Sequence, residues 1–137
     1  MKTLKLQIKK RLTDDATYIA LMGSPTEEPF QTYWFKPPVQ PTFPETVLTM
    51  GTIINDESNG RDLMSFRCPV SINVWSKDEA YEDIIDRIIQ LLHQNPETTT
   101  TGFRAILNNE PQDMYDDEFN VYGKVVQFDV VYRRSTI

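Results

Sequence analysis

The stretch SINVWSKDEAYEDIIDRIIQLL, residues 71–92, passes from one hydrophobic period into another with no linker between them. Reading back from Val74, the residues Met64, Phe66, Cys68, Val70, Ile72 and Val74 share one side of an extended chain. Ser65, Arg67, Pro69, Ser71 and Asn73 share the other, which predicts a long strand with one buried face. Beyond Ser76 the apolar residues return at helical spacing. Tyr81, Ile84, Ile85, Ile88, Ile89, Leu91 and Leu92 fit one arc of roughly 160° at ~100° per residue, opposite Glu82, Asp83, Asp86, Arg87, Gln90 and His93. This predicts a central amphipathic helix over about 77–94. Ser76 and Glu79 have capping-box spacing, Asp78 and Glu79 suit the positive end of the helix dipole, and Asp83 with Arg87 forms an (i, i+4) pair.

On the N-terminal side, Leu4, Ile8 and Leu12 predict a helix over residues 2–12, with Leu6 on the wrong side of it. Thr13 or Asp14 can cap a second short helix ending near Gly23, with Pro25 blocking continuation. Residues 24–44 hold six of the nine prolines beside Phe30, Tyr33, Trp34, Phe35 and Phe43, which predicts a short strand at Thr32 to Lys36 and then a stiff, extended connection. TVLTMGTIIN, residues 46–55, reads as one strand, and NDESNGRD at 55–62 as a turn or hairpin tip. After the helix, NPETTTTG is a polar connector, Phe103 to Asn108 a strand, and NNEPQDMYDDEF a long acidic loop. In the last strand Val126, Phe128, Val130 and Tyr132 alternate with Gln127, Asp129, Val131 and Arg133. Pro69 cannot donate a ladder hydrogen bond, so its strand lies at an edge or carries a bulge there, serving either to protect an open edge or to shape a subunit contact. The order of elements gives an α+β fold: a mainly antiparallel sheet packed by an N-terminal helix and one central helix, in a single domain over residues 1–137.

At 137 residues, 39% hydrophobic and 25% charged, the chain has enough apolar surface to fold on its own. No apolar run is long enough to span a membrane, and no signal-peptide pattern is present, which predicts a cytoplasmic site of synthesis. One cysteine excludes an intrachain disulfide and a cysteine-built zinc site, and a net charge of −6 argues against tight binding to nucleic-acid phosphates. Nothing in the pattern brings Cys68 and His93 together as a nucleophile and base. Phosphate loop, dinucleotide fingerprint and nucleophile elbow are all lacking, and the acidic loop lacks the calcium-loop spacing. No catalytic, cofactor or metal site is therefore expected, and the chain does not read as an enzyme. Pro38 to Pro41 and Pro41 to Pro44 match a PxxP ligand pattern, which leaves a peptide-binding adaptor open beside simple stiffening.

Charge is unevenly spread. Lys2, Lys5, Lys9, Lys10 and Arg11 fall in the first eleven residues without an acid, and Glu110, Asp113, Asp116, Asp117 and Glu118 cluster without a base. They are either two solvated surfaces or complementary patches on neighbouring copies of the chain. The interface candidates are Lys5, Lys9, Lys10 and Arg11, Trp34 from the aromatic segment, and Asp113, Asp116, Asp117 and Glu118.

The string VSINVWSKDEAYEDIIDRIIQLL resembles the strand–helix core of the tail terminator (tail completion, head–tail joining) proteins of long-tailed bacteriophages. LTDDATYIALMG is similar to that family's N-terminal stretch, and GKVVQFDVVYR to its late strand. Residues 24–44 and the acidic loop have no counterpart in the pattern. The resemblance implies a structural virion protein whose copies form a hexameric ring on the head-proximal end of the tail tube. Such a ring ends tail polymerisation and meets a head connector or stopper protein. DNA would pass through without specific binding, and the ring would belong to the tail or neck of a virion assembled in a bacterial cytoplasm. The nearest alternative is another neck protein of head-completion or stopper type.

Overall fold

A computed structural model describes residues 2–24, 30–35, 42–56, 63–93 and 103–135. In chain order the elements are helices α1 (Lys2–Thr13) and α2 (Ala16–Leu21), strands β1 (Thr32–Trp34), β2 (Glu45–Met50), β3 (Ile54–Asp56) and β4 (Leu63–Ser76), helix α3 (Ala80–Leu92), and strands β5 (Phe103–Leu107), β6 (Gln112–Asp116) and β7 (Val121–Ser135). The tip expected at 57–62, most of the proline-rich connection (25–29 and 36–41, with the first PxxP match) and the connector after α3 (94–102) lie outside the described residues.

The spine is the antiparallel pair of β4 and β7, in register from Leu63 opposite Ser135 to Ser76 opposite Tyr122. Each long strand carries two shorter ones on its outer side: β2 and β3 along β4, β6 and β5 along β7, all antiparallel. β1 adds to β2 as a parallel strand and forms one edge of the sheet. The fold is α+β with a mainly antiparallel sheet, as the order of elements predicts.

The alternation read in β4 holds. Cys68, Val70, Ile72 and Val74 are buried, and so are Val126, Phe128 and Val130 of β7. They pack against Leu4, Ile8 and Leu12 of α1, Tyr18 and Met22 near α2, and Ile84, Ile85, Ile88 and Leu92 of α3 in one continuous core. Each such side chain contributes about 1.5–3 kcal/mol gross. Leu6, on the wrong side of the α1 stripe, is 58% exposed.

Several local expectations are corrected. Residues 46–55 form two strands rather than one, because Gly51 to Ile53 steps out of the ladder and shifts the register on β4 by one residue between Met50 opposite Val70 and Ile54 opposite Arg67. That irregularity explains Pro69. β4 is flanked on both sides, so it is not an edge, and the bulge belongs to the strand beside it. Gly51 donates its N–H to the Pro69 carbonyl (2.8 Å), and a Cβ on Gly51 would lie 2.6 Å from the Pro69 ring. The break in the partner strand accommodates both the absent N–H and the ring.

The main helix is shorter than expected, and the capping box does not form. Ser76 is still a strand residue, buried to 2% exposure. Its Oγ accepts the Tyr81 N–H (3.1 Å) and donates to the Asp78 carbonyl (2.6 Å), while Asp78 Oδ1 accepts the Ala80 N–H (2.9 Å). Glu79, at the N-cap, makes no side-chain capping bond. Asp15, rather than Thr13 or Asp14, caps α2 by accepting the Tyr18 N–H at 2.8 Å. The same carboxylate takes both arms of Arg87 (2.9 and 2.7 Å), so the partner of Arg87 comes from the start of α2 and not from Asp83. The Arg87 hydrogen bonds hold the Asp15 carboxyl below its usual range. His93 is not on a solvated arc either: its Nδ1 accepts the Leu107 N–H at 2.8 Å, tying the end of α3 to β5.

Candidate assembly surfaces

The acidic segment expected as a loop is a β-hairpin. β6 pairs with β7 from Gln112 opposite Val125 to Asp116 opposite Val121, closed by the four residues 117–120. Asn120 adopts φ 52°, a left-handed conformation that asparagine tolerates well, and its Oδ1 accepts the Tyr115 hydroxyl at 2.8 Å. Asp116 Oδ1 accepts the Glu118 N–H (2.8 Å), so this carboxylate shapes the turn. Asp113 faces Lys124 across the ladder, 3.9 Å from its ammonium, which also reaches Glu82 of α3 at 3.6 Å. Asp117 and Glu118 are exposed at the tip.

Aromatic rings sit among these acids. Tyr115 and Tyr122, opposite one another, are 49% and 50% exposed with centroids 5.0 Å apart. Phe119 at the tip is 40% exposed and lies 5.9 Å from Phe43. The first turn of α3 brings further carboxylates to the same end of the sheet, since Lys124 bridges Asp113 to Glu82. Tyr81, at that junction, has its hydroxyl pKa raised by burial and then by Asp113 and Glu82.

The opposite edge has the opposite sign. β1 is bracketed by left-handed residues, Gln31 (φ 56°) and Phe35 (φ 64°), and this limits it to three residues. Phe35 turns off the sheet after donating its N–H to the Leu48 carbonyl (2.7 Å), leaving its ring 49% exposed. Trp34 Nε1 donates to the Lys5 carbonyl (3.1 Å), locking α1 onto β1. The Lys5 ammonium lies 4.7 Å from the Phe35 ring and 6.0 Å from that of Trp34. Leu6 is next to Lys5, and Lys9 and Lys10 follow it at the (i, i+3) and (i, i+4) positions that neighbour it on a helix.

Of the residues singled out in the sequence, the structure thus brings Lys5 and Trp34 into one cluster and places the four acids on one hairpin. Arg11 goes elsewhere: its guanidinium lies over the Phe103 ring at 5.6 Å, within the monomer. Tyr115, Phe119 and Tyr122 join these surfaces without having stood out in the sequence, whereas Leu6 stood off the α1 stripe and Phe35 in the aromatic segment without being an interface candidate. The signal for the two tyrosines was present: in QDMYDDEFNVYGK, Asp113 and Tyr115 alternate about a tip ending in Asn.

The two surfaces lie at opposite edges of one sheet. A single row of paired residues runs across the sheet from Thr32 through Thr46, Val74 and Lys124 to Asp113. At ~4.8 Å per strand, the four steps span about 19 Å. A buried polar network fixes the basic edge to the core. The Tyr18 hydroxyl hydrogen-bonds with Thr32 Oγ1 (2.8 Å) and donates to Thr46 Oγ1 (2.9 Å), and burial raises its pKa to about 12. Among the described residues no group of three or more His, Cys, Asp or Glu side chains could hold a metal ion. Cys68 is buried with its thiol pKa raised by burial, which makes it a poor nucleophile.

No protein-family model matches the sequence, and no curated protein matches it. Among solved structures, a chain from the virion of a native gene transfer agent particle superimposes with a TM-score of 0.60. Identity is 14%, over 93% of this chain and 92% of that one. The likeness is one of fold, and it extends over nearly the whole of both chains.

Proposed function

We propose that this chain is a structural virion protein of tail terminator type, forming a ring that caps the head-proximal end of a tail tube. The observation that carries the reading is the fold likeness to a virion component across 93% of this chain and 92% of that one. A shared piece of sheet would align only in part, whereas this likeness takes in helices and strands together. The strand–helix core that resembles tail terminators is β4 with α3, the centre of this fold. Two exposed edges of opposite charge suit a protein that works by contact with neighbours. The net charge of −6 suits a ring that lets DNA pass, because a strongly basic channel would retain it. The chain acts as a scaffold rather than as an enzyme, and requires no cofactor.

Purified protein incubated with isolated tail tubes and with filled heads tests this. A ring-shaped density at one end of the tubes in negative stain is the expected result. Binding to filled heads with no binding to tubes would favour the head-completion or stopper reading. Binding to neither would reject a place at the head–tail joint.

A further inference from the structure

We propose that the acidic, aromatic hairpin of one copy docks on the basic, aromatic α1–β1 edge of a second copy, head to tail. The contact is given by the charge and apolar character of the two surfaces, and it refines the ring reading above by naming the faces that meet. The hairpin presents Tyr115, Phe119 and Tyr122, each at least 40% exposed, ringed by carboxylates. The other edge presents Leu6 (58% exposed) and Phe35 (49% exposed) beside Lys5, with Lys9 and Lys10 on the adjoining turn.

Exposed aromatic rings rimmed by charge are the usual composition of a contact surface. Here each surface supplies what the other lacks. Lysine ammoniums and their aliphatic stems pack well on tyrosine and phenylalanine faces, and carboxylates at the rim pair with the ammoniums that remain. Symmetry selects between modes of pairing. A two-fold contact of hairpin with hairpin would set Asp117 and Glu118 against their own copies, and α1 against α1 would set lysine against lysine. A head-to-tail contact places unlike charges together at every junction. Because the two surfaces are at opposite edges of the sheet, each copy of a pair keeps one surface free, and the pair as a whole keeps one of each kind. Such a contact propagates, and it closes into a ring when the rotation between copies permits.

Charge reversal tests the proposal on the purified full chain, by native mass spectrometry and sedimentation, without tail tubes. Asp117→Lys with Glu118→Lys places lysines at the contact positions of both edges, and Lys5→Glu with Lys10→Glu places carboxylates at the contact positions of both. Each alone should assemble at least about tenfold more weakly than the parent chain. Mixing the two should restore assembly, since every junction in an alternating assembly is again basic against acidic. All four changes in one chain should restore it too. Tyr115→Ala with Tyr122→Ala should weaken assembly by about tenfold or more with no reversal of charge. A parent chain that stays monomeric at millimolar concentration would overturn the proposal. So would single reversals that assemble normally, or a mixture of folded reversed chains that stays apart. Failure to bind tail tubes with self-assembly intact would reject the terminator role and leave this contact standing.

Discussion

Glu45 is a buried acid. It opens β2 opposite Trp75, is 4% exposed, and its Oε2 has no hydrogen-bond donor among the described residues. Asn73 Oδ1, on the neighbouring row of the same sheet face, is likewise buried without a donor there. Burial raises the Glu45 pKa from 4.5 to about 7, because an ionised carboxylate in that position loses its hydration and gains nothing in exchange. The folded chain therefore holds this proton more tightly than the unfolded chain. Below pH 4.5 both states are protonated and no penalty arises; as pH rises towards about 7 the unfolded state ionises first and stability falls. The full loss above that range is at most about 3 kcal/mol, and less to the extent that water screens the carboxylate. Glu45→Gln should match the parent chain near pH 4, exceed it in stability near pH 8, and show a flatter profile between. Urea titrations across this range check it, and parallel profiles for the two chains would show that the carboxyl ionises without penalty.

At the scale of elements, the joint between β4 and α3 is held by two side chains with separate tasks. Ser76 closes the strand and reaches forward to the Tyr81 N–H, while Asp78 takes the Ala80 N–H in solvent. Ser76→Ala removes a buried acceptor and a donor together and should cost about 1–2 kcal/mol. Asp78→Ala, at an exposed position, should cost about 0.5–1 kcal/mol. Ser76→Gly should cost at least as much as Ser76→Ala, because the residue sits in a strand, where glycine adds backbone freedom to the unfolded state. Equilibrium denaturation of the three variants gives the ranking. A glycine variant more stable than the alanine variant would mark Ser76 as an ordinary helix N-cap. At the same end of the spine, Gly123 has a separate constraint: a Cβ there would lie 2.7 Å from the Trp75 ring, which crosses the pair of strands at this point.

For the whole molecule, the acidic hairpin separates stability from assembly. Its carboxylates are exposed or half-buried, and the ion pair of Asp113 with Lys124 is long and solvated. Pairs of this kind contribute at most about 1 kcal/mol. Changing Asp113, Asp116 and Asp117 to Asn and Glu118 to Gln keeps the acceptor that shapes the turn, because an amide oxygen at position 116 can replace the carboxylate. The melting temperature should stay within about 5 °C of the parent value. The same variant should fail to complete infectious particles when it replaces the parent chain in a producing cell. Wild-type titres from the neutralised chain would show that the hairpin carries no assembly function.

The buried stripes of α1, α3, β4 and β7 were legible in the sequence by itself, because periodic burial writes directly into periodic hydrophobicity. So was the α+β order of elements, which follows from where the period changes, and so was the segregation of charge between the N-terminal helix and the 110–118 segment. Pairings that join distant residues were decided only in three dimensions. Arg87 had a plausible local partner in Asp83, but the bidentate geometry was available only from Asp15, 72 residues away. Pro69 reads as the mark of an edge or of a bulge in its own strand because a sequence does not show that the neighbouring strand breaks opposite it. β6 was hidden by its own acidity, since an exposed edge strand supported by a single ladder needs no apolar face. The two surfaces became opposite edges of one body only when β4 and β7 paired along their full length, for strand order is set by long-range hydrogen bonding that no local pattern encodes.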